Sequence, residues 1–92
     1  MKPDVRELSR GFSLLSEPTR LGILQLLAKG PRNVTALCKA LRLKQASVSH
    51  HLGLLRMGRL VNGVRCGKAV IYAADKAALK ALASGLAALM PK

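Results

Sequence analysis

The spacing of apolar residues changes twice along this chain, and that change limits the possible folds more than any other feature. Up to Met57 they recur at helical intervals. After Gly58 come RLVNGV (59–64), the short link Arg65-Cys66-Gly67-Lys68, and AVIYAA (69–74), two strand-length runs rich in β-branched residues. That pattern predicts a hairpin. Asp75 then caps a last helix, in which Leu79, Leu82, Leu86 and Leu89 share one face and alanines flank them.

The helical part divides at its punctuation. Val5, Leu8, Phe12 and Leu15 mark one face of a first helix. Ser16-Glu17-Pro18 supplies a capping side chain and a proline for the first turn of a second. That helix, TRLGILQLLAK, is expected to turn Leu21, Leu24, Leu27 and Ala28 inward and to stop at Gly30-Pro31, with glycine as a left-handed cap. Asn33 caps a third helix, Val34 to Leu41, whose core residues are Val34, Leu37 and Leu41. Arg42-Leu43-Lys44 is a tight turn, and a fourth helix runs from about Gln45 to Met57 with Val48, Leu52 and Leu55 buried. The expected fold is mainly α with a small β-hairpin: a winged helix-turn-helix in the order α-α-α-α-β-β-α. No repeat or linker divides residues 1–92, so the chain reads as one domain, with the helix-turn-helix at 33–57 and the wing at 59–74.

Ninety-two residues lie near the lower limit for an unaided core. With Phe12 and Tyr72 the sole aromatics, that core must be aliphatic. No apolar run is long enough to span a membrane. The opening MKPDVRELSR lacks the apolar stretch of a secretory signal, which points to the cytoplasm. Cys38 and Cys66 do not make a disulfide framework, in keeping with that compartment.

Charge narrows the partner. Sixteen Lys and Arg face four Asp and Glu, a formal +12, and no acid lies between Glu17 and Asp75. Arg20, Lys29, Arg32, Lys39, Arg42, Lys44, Arg56, Arg59, Arg65 and Lys68 all fall in that gap. A merely solubilising surface mixes both signs. One-sided charge on a folded domain favours a polyanion, nucleic acid ahead of an anionic membrane surface.

The segment KQASVSHHL (44–52) opens the fourth helix. With Val48, Leu52 and Leu55 inward, Ala46, Ser49, His50 and Gly53 face outward, and Gln45 and Ser47 lie on the flanks. In a helix-turn-helix the start of the second helix reaches base edges. Gln pairs with adenine, serine donates or accepts, and small residues let the helix sink into the groove. Catalysis is disfavoured because Ser49 and His50 diverge on the helix and no acid in the central stretch orients either histidine. A metal site is disfavoured because His50 and His51 are adjacent rather than a helical turn apart. His50 is expected to point out, and His51 to be a part-buried ring donating to a backbone carbonyl. With no paired carboxylates and no phosphate-binding glycine loop, neither an enzyme nor a cofactor is expected.

LSEPTRLGILQLL, the third helix ending in AL, SVSHHLGLLRMGRLV and a wing ending in VIYAA together resemble the ArsR/SmtB family of small bacterial winged-helix repressors. The resemblance covers roughly Leu14 to Ala74. It implies a homodimer built by the first and last helices (4–15 and 75–90), which sets two copies of the fourth helix into successive major grooves of a near-palindromic double-stranded operator. Carried over, it implies that Gln45, Ser47, Ser49 and His50 face DNA, with Arg65 and Lys68 at the wing tip. Lys44 and Arg56 complete the candidate DNA-binding set. Lys44 departs from the family, which usually has a capping serine there.

Sensing departs as well. The positions of one family metal site, a Cys-Val-Cys pair, are here Asn33 and Thr35. The last helix begins with Asp75, but no His or Glu follows it. The expectation is therefore a regulator without the usual metal sites. Two alternatives stay open: a nucleoid or RNA-binding winged helix without sequence preference, and a thiol-based redox regulator acting through Cys38 and Cys66. Cys38 next to Leu37 reads as a small buried hydrophobe, and Cys66 as exposed among cations.

Overall fold

Helices in this chain start where a polar side chain can take up their free N–H groups. A computed structural model describes residues 4–90. Asp4 accepts from the N–H groups of Arg6 and Glu7, at 3.0 and 3.3 Å, and opens α1 (Val5–Leu15). Glu17 accepts from Arg20 N–H at 3.0 Å and opens α2 (Pro18–Ala28), with proline at its first position. Asn33 accepts from Ala36 N–H at 2.8 Å and opens α3 (Val34–Leu41). The helix α4 (Gln45–Met57) is the exception, because Lys44 makes no side-chain capping bond. Asp75 accepts from Ala78 N–H at 3.0 Å and opens α5 (Lys76–Ala88).

Among the described residues the strands are β1 (Arg32–Asn33), β2 (Val61–Cys66) and β3 (Ala69–Ala74), paired antiparallel in the order β1-β3-β2. Two points differ from expectation. The two-residue β1, pairing Arg32 with Tyr72 and Asn33 with Ile71, is too short to leave a periodic signal in the sequence. Arg65 and Cys66 belong to β2 rather than to the link: they pair with Val70 and Ala69, and the turn is Gly67-Lys68 alone. Gly67 has φ +63, the conformation for which a two-residue hairpin favours glycine. Gly30 ends α2 as expected but at φ +154, the extended mirror region, rather than as a left-handed cap.

The core joins Ile23, Leu24 and Leu27 of α2, Leu37 of α3, Val48, Leu52 and Leu55 of α4, and Leu60 and Val61 at the start of the wing. This corrects the expected inner face of α2. Ile23 is fully buried, whereas Leu21 is 49% exposed and Ala28 is also exposed. α2 is apolar at 21, 23, 24, 26 and 27, so helical periodicity alone could not select its buried face. Contact with α3, α4 and β3 does so. The helices α1 and α5 pack antiparallel through exchanged glycines: a side chain on Gly85 would strike Leu8, and one on Gly11 would strike Leu82. Leu8 is buried there, but Val5, Leu86, Leu89 and Met90 are left at least half exposed. No helix among the described residues is long and apolar enough to cross a membrane.

Both helices of the helix-turn-helix are followed by an arginine in the left-handed conformation. After α3, Arg42 is left-handed (φ 56) and Leu43 N–H reaches back to Cys38 O at 3.1 Å. After α4, Arg59 is left-handed (φ 61), Leu60 N–H bonds Leu55 O at 2.9 Å and Arg59 N–H bonds Arg56 O at 3.0 Å. These are the 6→1 and 5→2 bonds of a Schellman cap, whose left-handed residue is usually glycine. A side chain in that conformation costs about 1 kcal/mol. Arg59→Gly should therefore raise stability by roughly 0.5–1 kcal/mol and Arg59→Ala should not, as read from urea denaturation midpoints at constant slope.

Candidate nucleic-acid interface

Burial of Val48, Leu52 and Leu55 sets the rotation of α4 and so decides which side chains reach solvent. Gln45, Ala46, Ser49, His50, Gly53 and Arg56 are exposed, Ser47 is half-buried, and Lys44 stands exposed at the helix start. Nothing lies near the position a Gly53 side chain would occupy, so the outer face is open to a close approach. On the wing, Arg65 and Lys68 are exposed. Lys68 occupies the turn, and Arg65 sits below it in the strand ladder rather than at the tip.

The charges sort by position. Three of the four acids, Asp4, Glu17 and Asp75, cap helices that lie outside the helix-turn-helix, and Glu7 sits in the first turn of α1. A carboxylate there suits the positive end of the helix dipole. α3 and α4 begin instead with Asn33 and Lys44, so their N-termini carry no carboxylate. Two of the basic residues in the acid-free gap are engaged internally: Arg20 Nε donates to Leu14 O and Arg32 Nε to Leu26 O, carbonyls in the last turns of α1 and α2. The other eight are exposed.

One cluster differs from what the sequence pattern predicts. His51 is not bonded to a backbone carbonyl: its Nδ1 faces Arg20 Nη1 at 3.3 Å and Glu17 Oε2 at 3.7 Å. Glu17 lies outside the acid-free stretch, and only the packing of α2 on α4 brings it to a histidine. The one available signal was that Glu17 and Arg20 are spaced i, i+3 in the first turn of α2. Partial burial pushes the Glu17 carboxyl up. The Arg20 N–H, the charge of His51, and the Thr19 hydroxyl and N–H outweigh it, so Glu17 titrates below its ordinary 4.5. The His50 ring meets His51 edge to face at 5.3 Å.

Two residues at positions compared above with the family's metal ligands cap helices. Asn33 Oδ1 caps α3 and Asp75 Oδ1 caps α5. Among the described residues no three His, Cys, Asp or Glu side chains gather as metal ligands. Cys38, half-buried against the core, and Cys66, exposed at the end of β2, are both free thiols.

Residues 17–62 match the model of the arsR family of bacterial regulatory proteins. The HTH-type transcriptional regulator NmtR of Mycobacterium tuberculosis is 44% identical over 66 residues, 72% of this chain and 55% of the relative. A transcriptional repressor SmtB homolog of Synechocystis sp. is 36% identical over 67 residues, 73% of this chain and 51% of the relative. The chain thus spans about half the length of these curated relatives. The structure of an ArsR-like transcriptional regulator from Rhodococcus sp. RHA1 superposes with a TM-score of 0.84 at 29% identity, covering 92% of this chain and 80% of that one. The fold is that of a winged-helix regulator. The chain belongs to the arsR family of bacterial regulatory proteins, which are transcriptional regulators and not enzymes.

Because the folded carboxyl of Glu17 titrates below its unfolded value, its contribution is present above about pH 4.5 and is lost as pH falls through the folded value. Glu17→Gln should lower the melting temperature at pH 7. The gap to the parent should close below pH 4.5 in parallel thermal melts.

Proposed function

We propose that the protein is a DNA-binding transcriptional regulator that reads double-stranded operator DNA with α4. The observation that carries this reading is the exposed, small-residue face of α4, bounded by Lys44, Arg56 and the wing cations, with no acid in the helix-turn-helix. Gln45, Ser47, Ser49 and His50 touch base edges, while Lys44, Arg56, Arg65 and Lys68 neutralise phosphates. The missing cap of α4 supports the same assignment, since an uncapped N-terminus beside a lysine favours an anion such as phosphate.

The working unit is a homodimer through α1 and α5, whose exposed Val5, Leu86, Leu89 and Met90 await apolar cover. The dimer presents its two reading helices about 34–36 Å apart, one turn of duplex, and represses by occluding a promoter. It works in the cytoplasm and without the metal sites usual in the family, a reading supported by the capping roles of Asn33 and Asp75. The competing reading, a winged helix that binds nucleic acid by charge and shape alone, predicts a specificity ratio near one.

Electrophoretic mobility shifts on the DNA upstream of its own gene, against random duplex, decide between the two. Gln45→Ala and His50→Ala should weaken operator binding more than random binding, each by roughly tenfold, as loss of a base contact requires. Arg65→Ala should weaken both alike and reduce the salt slope by about one. Equal affinity of the parent for operator and random duplex would overturn the proposal.

A further inference from the structure

Resting on the operator-reading role of α4, we infer that Arg20 and His51 are positioning residues for recognition, together fixing the rotation of the reading helix and the orientation of His50. Neither side chain lies on the DNA-facing surface. Arg20 is half-buried at the start of α2, and the His51 side chain is only 16% exposed.

The geometry forms one chain of contacts across three helices. Arg20 Nε donates to Leu14 O at the end of α1, and Arg20 Nη1 donates to His51 Nδ1 on α4. Arg20 is itself held by its backbone N–H, which donates to Glu17 Oε2. His51 then meets the His50 ring edge to face at 63°. Apolar burial of Val48, Leu52 and Leu55 is non-directional and tolerates small rotations of α4. A guanidinium with a fixed fork of donors tolerates far less. Arg20 therefore supplies a directional lock that the leucines cannot.

The lock dictates a tautomer. A guanidinium only donates, so His51 Nδ1 must accept, and the imidazole proton sits on Nε2. Protonating His51 puts a hydrogen on Nδ1, which ends the Arg20 bond and turns Nδ1–H toward Glu17 Oε2, already 3.7 Å away. The charged and titratable groups facing His51 are Arg20 and Glu17 from α2 and His50 from its own helix. The two arrangements favour different partners at one ring, and the reading helix is locked only in the neutral one.

The test compares the parent with His51→Asn, whose side-chain oxygen can accept from Arg20 without titrating, and with His51→Leu, which fills space but accepts nothing. Arg20→Gln removes the guanidinium from the other side. Circular dichroism melts establish that each variant is folded at the assay temperature. The parent and His51→Asn should keep operator-to-random ratios within about threefold of each other, while His51→Leu and Arg20→Gln fall by about tenfold or more. As pH drops from about 8 to about 5, where imidazoles take up a proton, the ratio should fall more steeply in the parent than in His51→Asn. The His50 ring is common to both, so the difference isolates His51. Nitrogen NMR of the parent should show Nδ1 unprotonated and Nε2–H at neutral pH, a readout independent of any variant. A proton on Nδ1 at neutral pH, or ratios in His51→Leu equal to the parent's, overturns the inference. A parent with no operator preference instead overturns the reading of α4 beneath it.

Discussion

The burial of Val48, Leu52 and Leu55 against Ile23, Leu24, Leu27 and Leu37 is the interaction on which the rest of the molecule depends. These side chains are aliphatic and nearly or fully removed from solvent, so α4 can show water only the opposite face. That face carries Gln45, Ser49, His50 and Gly53. The same core takes in Leu60 and Val61, which lead straight into β2, and thereby ties the wing to the reading helix.

Charge is organised around that core by a simple division. Carboxylates are spent on the N-termini of α1, α2 and α5, where the helix dipole and free N–H groups favour them. The helix-turn-helix is left without any. Two arginines close the C-terminal ends of α1 and α2 by donating to Leu14 O and Leu26 O, so part of the basic excess is structural. Arg42 and Arg59 stand where left-handed caps favour glycine, one at each end of the reading unit. Holding arginine at both costs stability and keeps a cation on either side of α4.

Lys44 shows how a local rule is set aside. An accepting side chain normally opens a helix, and here the position holds a donor. The fold tolerates this because the α4 stripe is anchored by tertiary packing rather than by its first turn. The α1–α5 pair shows the opposite balance: it packs by exchanged glycines and leaves much of its apolar surface uncovered.

Much of the fold was legible in the sequence because it is written in local chemistry. Helical spacing, caps and proline placed α3 and α4 at their observed bounds and α1, α2 and α5 within two residues of theirs, and the shift to β-branched runs gave the hairpin. The outward face of α4 followed from three buried positions on a strict helical period. What stayed hidden depends on contacts between distant segments. The buried side of α2 was undetermined because that helix is apolar nearly all round, and its neighbours chose Ile23 over Leu21. β1 exists only because β3 offers Arg32 and Asn33 a partner. The setting of His51 was beyond the sequence for the same reason: Glu17 and Arg20 lie more than thirty residues away along the chain, and helix packing alone brings them to its ring.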